Sequence, residues 1–181
     1  MNKLLALIAV TMSVVFFGCP LRSLAPLFAE KDLIFNPSLL GSWKTVQEAE
    51  LVTFSKSGDK EYSALLTGKE GDTARYVIQL GKLGKFWFMD SYPFHKNDDY
   101  QVLPTHLIWR IWIEGDTIRI ASLEGDWLKR EIDSKKLHIE CTRSDGDILL
   151  TSSTEDLQKL AQHYAEDENA FPKPDTYVRV K

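Results

Sequence analysis

The sequence predicts a mainly β domain: an antiparallel meander that forms a barrel or a sandwich, with one amphipathic C-terminal helix and a short final strand. Two observations support this prediction. Short runs rich in Val, Ile, Tyr, Phe, Trp and Thr recur along the chain. Turn-forming sequences separate these runs at fairly even intervals, among them SGDK at 57–60, three EGD triplets and SDGD at 144–147. Short strands with such regular spacing are typical of antiparallel barrels and sandwiches.

The first eighteen residues are typical of a secretory signal peptide. Lys3 supplies a positive charge, and no charged residue follows from Leu4 to Phe17. A helix over this apolar run would be ~21 Å long at ~1.5 Å per residue, short of the ~30 Å hydrocarbon core of a bilayer. The length therefore disfavours a membrane span, and Gly18 supplies the small residue that a cleavage site needs.

The sequence F-F-G-C at 16–19 resembles the lipobox of bacterial lipoproteins. The resemblance implies cleavage before Cys19, a diacylglyceryl group on its thiol and acylation of the new amine, and two or three acyl chains anchor a protein stably. The alternative is an ordinary secreted protein that is cleaved elsewhere. Pro20 stands where the inner-membrane retention signal has Asp. We therefore expect a lipid anchor in the bacterial cell envelope, in the outer membrane if the source has two membranes.

Without the signal peptide, the chain keeps 163 residues, with 21 basic and 26 acidic side chains, because Lys3 is the single charge removed. The resulting net charge of −5 argues against nucleic acid as a partner. With Cys19 acylated, Cys141 has no partner for a disulfide, so the fold must depend on its hydrophobic core. The predicted organisation is a signal peptide at 1–18, a lipid-anchored tether at 19–36 and one β domain at 37–181.

Period-two alternation is clearest in 104–113, where Leu107, Trp109, Ile111 and Ile113 share one face. The opposite face carries His106, Ile108, Arg110 and Trp112. In 85–91, Phe86, Phe88 and Asp90 oppose Trp87, Met89 and Ser91. Both faces hold large apolar side chains, so we expect these strands to be covered on both sides. The predicted strands are 42–47, 50–56, 61–67, 74–82, 85–91, 104–113, 117–123, 137–142, 147–152 and 175–180.

Two helices interrupt this pattern. The predicted C-terminal helix, 154–168, repeats apolar residues at a spacing of three and four, and Ser153 with Asp156 is typical of a capping box. A shorter helix is predicted from residue 125. Pro172 and Pro174 end the helical region before the last strand.

The sequence Gly41-Ser42-Trp43, together with the order of elements, is similar to lipocalins, whose first strand carries a G-x-W signature. The resemblance implies an eight-stranded barrel that Trp43 closes at one end, with an arginine packed across the indole. Arg143 and Arg179 are the candidates, and we select Arg179, in the last strand, for a cation–π contact with Trp43. Such barrels enclose one small apolar ligand, and the family includes bacterial outer-membrane lipoproteins.

No catalytic or metal-binding motif emerges. There is no G-x-S-x-G, no H-E-x-x-H and no paired cysteine motif, and His138 and Cys141 fall on opposite faces of their predicted strand. His95, Asp98 and Asp99 are interpreted as a solvated loop. We therefore expect neither an enzyme nor a metal or cofactor site, with a hydrolase based on Asp90 and His106 as the alternative.

If the two strands pair as a hairpin through 92–103, Asp90 would lie near His106 or Arg110. A charge buried in a barrel needs a partner, so we expect a contact between Asp90 and one of these residues. A structural ion pair and a polar contact for a ligand are both open interpretations. The candidate ligand-binding residues are Phe86, Phe88, Asp90, His106, Trp109, Arg110 and Trp112. The expected function is a membrane-anchored lipoprotein that binds a small hydrophobic molecule. The alternative is a non-catalytic lipoprotein with a filled core that docks another envelope protein.

Overall fold

A computed structural model describes residues 21–46, 50–94, 103–144 and 147–181. The predicted anchor Cys19 and the loop residues His95, Asp98 and Asp99 lie outside these ranges. Within them, neither helix is long and apolar enough to span a membrane.

Eleven strands and two α-helices make up the described fold. The strands, in chain order, are β1 Arg22–Ser23, β2 Gly41–Thr45, β3 Leu51–Lys56, β4 Glu61–Thr67, β5 Thr73–Leu83, β6 Phe86–Pro93, β7 His106–Glu114, β8 Thr117–Ser122, β9 Cys141–Ser144, β10 Asp147–Leu150 and β11 Asp175–Arg179. The helices are α1 Gly125–Asp133 and α2 Thr154–His163. Short 3₁₀ turns at Glu30–Asp32 and Pro37–Leu39 precede β2.

Eight of these strands form a closed antiparallel barrel. Strands β2 to β8 pair in sequence order, and β11 pairs with both β8 and β2, with Arg179 opposite Trp43. The prediction of an antiparallel barrel with a C-terminal helix and a final strand is confirmed, and the layout is lipocalin-like. The sandwich alternative is wrong because the ring of strand pairs has no break.

The other three strands extend the sheet outside the barrel. β1 pairs antiparallel with the first residues of β7 and parallel with β10, and β10 pairs with β9. The predicted strand at 137–142 is wrong in its position, since the β9 ladder begins at Cys141 opposite Leu150. The segment before it is held differently: the carbonyl of Glu140 accepts bonds from the backbone of Thr151 and the hydroxyl of Ser152.

The chain builds two hydrophobic cores, one on each side of the barrel wall. The inner core fills part of the barrel and consists of Leu39, Trp43, Val52, Phe54, Tyr62, Ala64, Ile78, Leu80, Met89, Ile111, Ile118 and Ile120. The outer core lies between the outer face of β6–β8 and both helices, and it includes Phe88, Ile108, Trp127, Leu157 and Phe171. Burial on both faces of β6 and β7 explains why their sequences are apolar throughout.

Helix α2 begins as predicted and ends earlier than predicted. The Ser153 hydroxyl accepts a bond from the backbone N–H of Asp156 at 3.2 Å, which caps the helix. The predicted end at residue 168 is wrong, because the helix stops at His163. Further on, the Asp167 carboxylate accepts the backbone N–H of Asn169 at 2.8 Å, a local bond that competes with helical pairing. The turns that follow place Phe171 in the outer core.

The predicted tether at 19–36 is wrong from residue 21 onward, because this segment packs against the barrel. Leu21, Leu27, Phe28 and Leu33 are buried in the outer core. A Cβ atom on Gly81 would lie only 2.5 Å from the Phe28 ring, so the missing side chain leaves the space that this ring occupies. The segment is therefore an integral part of the domain.

Candidate ligand-binding cavity

One end of the barrel, here called the closed end, is shut by Arg179 and Trp43. The Arg179 guanidinium lies 4.1 Å from the centroid of the Trp43 ring. It also donates to the carbonyls of Leu40 and Ser38 at 2.7 Å each. The cation–π contact between Arg179 and Trp43 that the sequence predicts is present, and the same guanidinium binds the turn that crosses this end.

Gly41 makes this arrangement sterically feasible. Its φ angle is 111°, a conformation that side-chain-bearing residues rarely adopt, and a Cβ there would lie 3.0 Å from Nη1 of Arg179. The Trp43 indole donates to the carbonyl of Leu39 at 2.9 Å. The G-x-W sequence thus combines a glycine that admits the guanidinium with a tryptophan that the guanidinium covers.

Tyr62 and Phe35 complete the closed end. Their rings stack with centroids 4.9 Å apart, and the Tyr62 hydroxyl accepts from the N–H of Asn36 and donates to its carbonyl. Burial raises the pKa of the Tyr62 phenol above its ordinary value, although the bond to Asn36 opposes the shift. The phenol therefore stays protonated and keeps the segment before β2 fixed under the barrel.

The other half of the barrel contains a cavity of about 370 Å³. It reaches the end where β4 meets β5 and where β6 leads towards β7, here called the open end. Its walls are largely apolar. The inward-facing apolar and aromatic side chains around it are Val52, Phe54, Leu66, Ala64, Ala74, Tyr76, Ile78, Met89, Leu107, Trp109, Ile120 and Tyr177.

Polar groups in this cavity are few and have distinct positions. The Ser91 hydroxyl accepts a 2.7 Å bond from the indole N–H of Trp109, so two polar groups of the wall satisfy each other. Glu50 and Asp72 also line the cavity, and both are exposed to solvent. No lysine or arginine is among the described lining residues. The cavity therefore combines an apolar interior with acidic groups in contact with water.

The structure separates the predicted ligand-binding residues. Trp109 lines the cavity, but the other six lie on the outer face of the barrel: Phe86, Phe88, Asp90, His106, Arg110 and Trp112. The register fixes this division, because Met89 pairs with Trp109 on the inside while Asp90 pairs with Ile108 on the outside. The prediction that these six line the interior is wrong because helices and the N-terminal segment cover the outer face with a second apolar core.

Asp90 and His106 do meet, as the sequence predicts, but outside the barrel. Oδ1 of Asp90 lies 2.8 Å from Nδ1 of His106, with the Asp90 side chain fully buried and that of His106 12% exposed. Oδ2 accepts a 2.6 Å bond from the backbone N–H of Leu27. The ring of Tyr92 lies 5.0 Å from that of His106. This cluster fastens the N-terminal segment to the barrel, so it acts as a structural clamp.

Arg110 takes no part in that cluster. Its guanidinium lies 4.7 Å from the Phe86 ring and 4.3 Å from the Trp112 ring on the outer face. Burial lowers its pKa from the ordinary value, with a smaller opposing effect from Glu166. Arg110 is thus part of an aromatic–cation stack on the outer face.

Most of the cavity wall consists of residues outside the set that the sequence predicts. Val52 and Phe54 in β3, with Ala64 and Leu66 in β4, face inward at alternate positions. This alternation was visible in the predicted strands 50–56 and 61–67. The larger aromatic residues of β6 and β7 are more conspicuous in the sequence than this alternation of smaller apolar residues in β3 and β4.

A wider depression of about 1,100 Å³ lies between α2 and residues 136–140. Exposed polar side chains, such as Lys136, Glu140 and His163, form much of its wall, so it is an open surface groove. In the described ranges, no three His, Cys, Asp or Glu side chains are grouped as metal ligands would be. Comparisons with protein-family models, curated proteins and solved structures found no match to the chain.

Proposed function

We propose that the chain is a lipid-anchored protein of the bacterial cell envelope whose barrel binds one small, largely apolar molecule. The observation that carries the binding proposal is the apolar cavity of about 370 Å³, shut at the Arg179 end and reaching the opposite end of the barrel. Small-molecule pockets of ~300–1,000 Å³ typically have apolar walls with few polar groups. The alternative of a filled barrel does not match this cavity.

The volume limits the size of the ligand. At the ~30 Å³ that one water occupies in the liquid, 370 Å³ accommodates roughly a dozen water-sized groups. A molecule with about a dozen non-hydrogen atoms therefore matches the space. A larger amphiphile would have to leave part of its length outside the barrel.

The charges of the lining favour a ligand without a negative head group. A carboxylate would meet Glu50 and Asp72, with no cation among the described lining residues to balance its charge. Like charges brought together at a binding site reduce affinity. A neutral molecule, such as a medium-chain alcohol, meets no such cost, so we infer a neutral apolar ligand class.

A fluorescent probe tests the binding proposal. 1-Aminonaphthalene is neutral at pH 7 and has about a dozen non-hydrogen atoms, as the cavity volume requires, and its emission shifts to shorter wavelength in apolar surroundings. Trp109 in the cavity wall is close enough to report its arrival. We expect saturable 1:1 binding, displaced more strongly by 1-decanol than by decanoate. A signal that stays at the level of buffer, or one that never saturates, would contradict the proposal.

The anchor is supported by the F-F-G-C sequence at 16–19 and is tested separately. The intact mass of the membrane-extracted protein should exceed that of residues 19–181 by the mass of two or three acyl groups. The Cys19→Ala variant should lack this added mass. A wild-type mass equal to the bare polypeptide would refute acylation and leave the binding proposal untouched.

A further inference from the structure

We propose that the open end of the barrel rests against the phospholipid bilayer that anchors the chain, so that the cavity opens towards the membrane. This inference rests on the proposed acylation of Cys19 and adds an orientation to it.

The chain leaves very little slack between the anchor and the domain. Leu21 is only 4% exposed and belongs to the outer core, and β1 begins at the next residue. Two residues, Pro20 and Leu21, lie between Cys19 and Arg22, so the three Cα-to-Cα steps reach at most ~11 Å in an extended chain. With its acyl groups in the bilayer, Cys19 would therefore hold the domain directly at the membrane surface.

Strand pairing shows which side of the domain lies near the anchor. Arg22 pairs with Leu107, a residue that lines the cavity, and Ser23 pairs with His106, the first residue of β7. The closed end of β7 lies at Glu114, seven residues beyond Leu107, or ~23 Å at ~3.3 Å per residue. Because β1 runs antiparallel to β7, the chain before Arg22 runs towards the closed end, and its reach would bring Cys19 at most level with Arg110, midway along β7. The anchor therefore holds the side of the domain at the membrane without favouring the closed end, and the exposed apolar residues determine which end meets the lipid.

The open end also exposes apolar side chains. Of eight exposed large hydrophobic residues in the described ranges, five lie at this end, and we call them the apolar rim. They are Leu24, Val46, Leu66, Phe94 and Leu103, which are 37%, 63%, 39%, 47% and 68% exposed. Leu66 also lines the cavity. Apolar residues concentrated around an opening are typical of an interaction surface.

The charges near this rim indicate the kind of contact. Charges of both signs are present, since Glu50 and Asp72 stand at the cavity and the Arg75 guanidinium lies over the Phe94 ring, whereas membrane proteins that select anionic lipid present clusters of lysine and arginine. We therefore expect the rim to bury apolar surface in a neutral bilayer, without dependence on anionic lipid. An apolar ligand would then reach the cavity from the lipid without crossing water.

Quenching by brominated lipid tests this orientation with the full chain. The acylated protein, in a Cys141→Ala background, is reconstituted into phosphatidylcholine vesicles with or without bromine on the acyl chains. Bimane is attached at Leu103→Cys in the rim or at Val178→Cys near the closed end. Both parent residues are exposed aliphatic side chains, so Val178 is a matched control that leaves folding undisturbed.

We expect bimane at position 103 to lose most of its emission in brominated vesicles, while bimane at position 178 keeps it. Equal emission from position 103 in both vesicle types, with acylation confirmed by mass, would overturn the orientation and leave the lipoprotein proposal standing. Quenching at both positions would overturn it as well. An unmodified Cys19 would refute the lipoprotein proposal, and the orientation would fail with it.

Discussion

Replacing Ala64 with Phe should fill the cavity and abolish ligand binding without unfolding the barrel. Ala64 is 1% exposed, lies in the middle of β4 and faces the cavity between Phe54 and Tyr76 on the neighbouring strands. The substitution adds six carbon atoms where the structure has space. Two measurements distinguish the possible effects at this buried site: the Kd of a ligand reports exclusion from the cavity, and the free energy of unfolding reports overpacking.

The magnitude follows from the cavity volume. Six bonded aromatic carbon atoms take less space than six waters, so at ~30 Å³ per water the added ring fills less than ~180 Å³, at most about half of the 370 Å³ available. Excluding as many ligand groups, at ~0.8 kcal/mol per buried methylene, removes up to ~5 kcal/mol of binding free energy. Because a ligand can shift towards the open end, we expect a Kd at least ~100-fold higher for 1-aminonaphthalene.

The free energy of unfolding provides the second readout. With space available, Ala64→Phe should change it by less than about 1 kcal/mol in urea titrations, whereas overpacking a filled core costs ~1–3 kcal/mol. The control is Ser63→Phe, the adjacent residue on the outer face of β4. Because Ser63 is half-buried on the outer face, Ser63→Phe should leave both the Kd of the probe and the free energy of unfolding close to the wild-type values.

Two results would refute this reasoning. A loss of ~1–3 kcal/mol in stability for Ala64→Phe, with little effect at Ser63, would mean that the inner face is already filled. A stable Ala64→Phe variant that binds the probe as tightly as wild type would place the binding site elsewhere.

Three further predictions concern stability in urea. Arg179→Met should cost about 3 kcal/mol, because it removes the bonds to the carbonyls of Ser38 and Leu40, the ion pair with Asp116 and the contact with Trp43. Arg119→Met, which breaks a partly exposed pair with Glu114 and a contact with the Trp112 ring, should cost under ~1 kcal/mol, and equal losses would contradict the role of Arg179. Gly81→Ala should lower the free energy of unfolding by ~1–3 kcal/mol, because the added methyl group displaces the Phe28 ring. A variant as stable as wild type would show that the Phe28 ring does not pack against Gly81. Because burial raises the pKa of Tyr62 above its ordinary value of 10.0, the unfolded chain releases this proton first, so the contribution of Tyr62 to stability should be fully present below about pH 10 and be lost above it. Stability should therefore decline less steeply above pH 10 for Tyr62→Phe than for wild type, and an equal slope would contradict this role of the phenol.

Much of the fold follows from local sequence patterns. The predicted strand 61–67 has its observed bounds, and SGDK and two of the three EGD triplets lie between paired strands. The third EGD triplet, at 124–126, begins α1 instead. The alternation in 85–91 was also right in its pairing, since Phe86, Phe88 and Asp90 do share one face. A period of two residues is a local property of a strand, so it is readable without knowledge of the fold.

Which face points inward is not a local property. In β6 and β7 both faces carry aromatic residues, because the inner core covers one face and the helices with the N-terminal segment cover the other. A one-residue difference in assignment exchanges the interior for the exterior. The assignment of Phe88 and Trp112 to the cavity failed for this reason, and less conspicuous residues such as Ala64 form the wall.

The packing of the N-terminal segment could not be predicted from the segment alone. Residues 21–36 have neither helical nor strand periodicity, and their burial depends on partners distant in sequence. Phe28 requires the bare backbone of Gly81, and the N–H of Leu27 requires the carboxylate of Asp90. Both partners belong to the outer face of the barrel, which exists only once the sheet has closed.

The barrel wall places the Asp90–His106 pair and the cavity on opposite sides. The acid–imidazole pair of Asp90 and His106, the most reactive-looking group in the sequence, lies on the outer face beneath the N-terminal segment, where Asp90 already binds Leu27. Among the described residues that line the cavity there is no histidine, and the hydroxyl of Ser91 is bonded to the indole of Trp109. The wall of the barrel therefore separates the Asp90–His106 pair from the space in which we propose that the ligand binds.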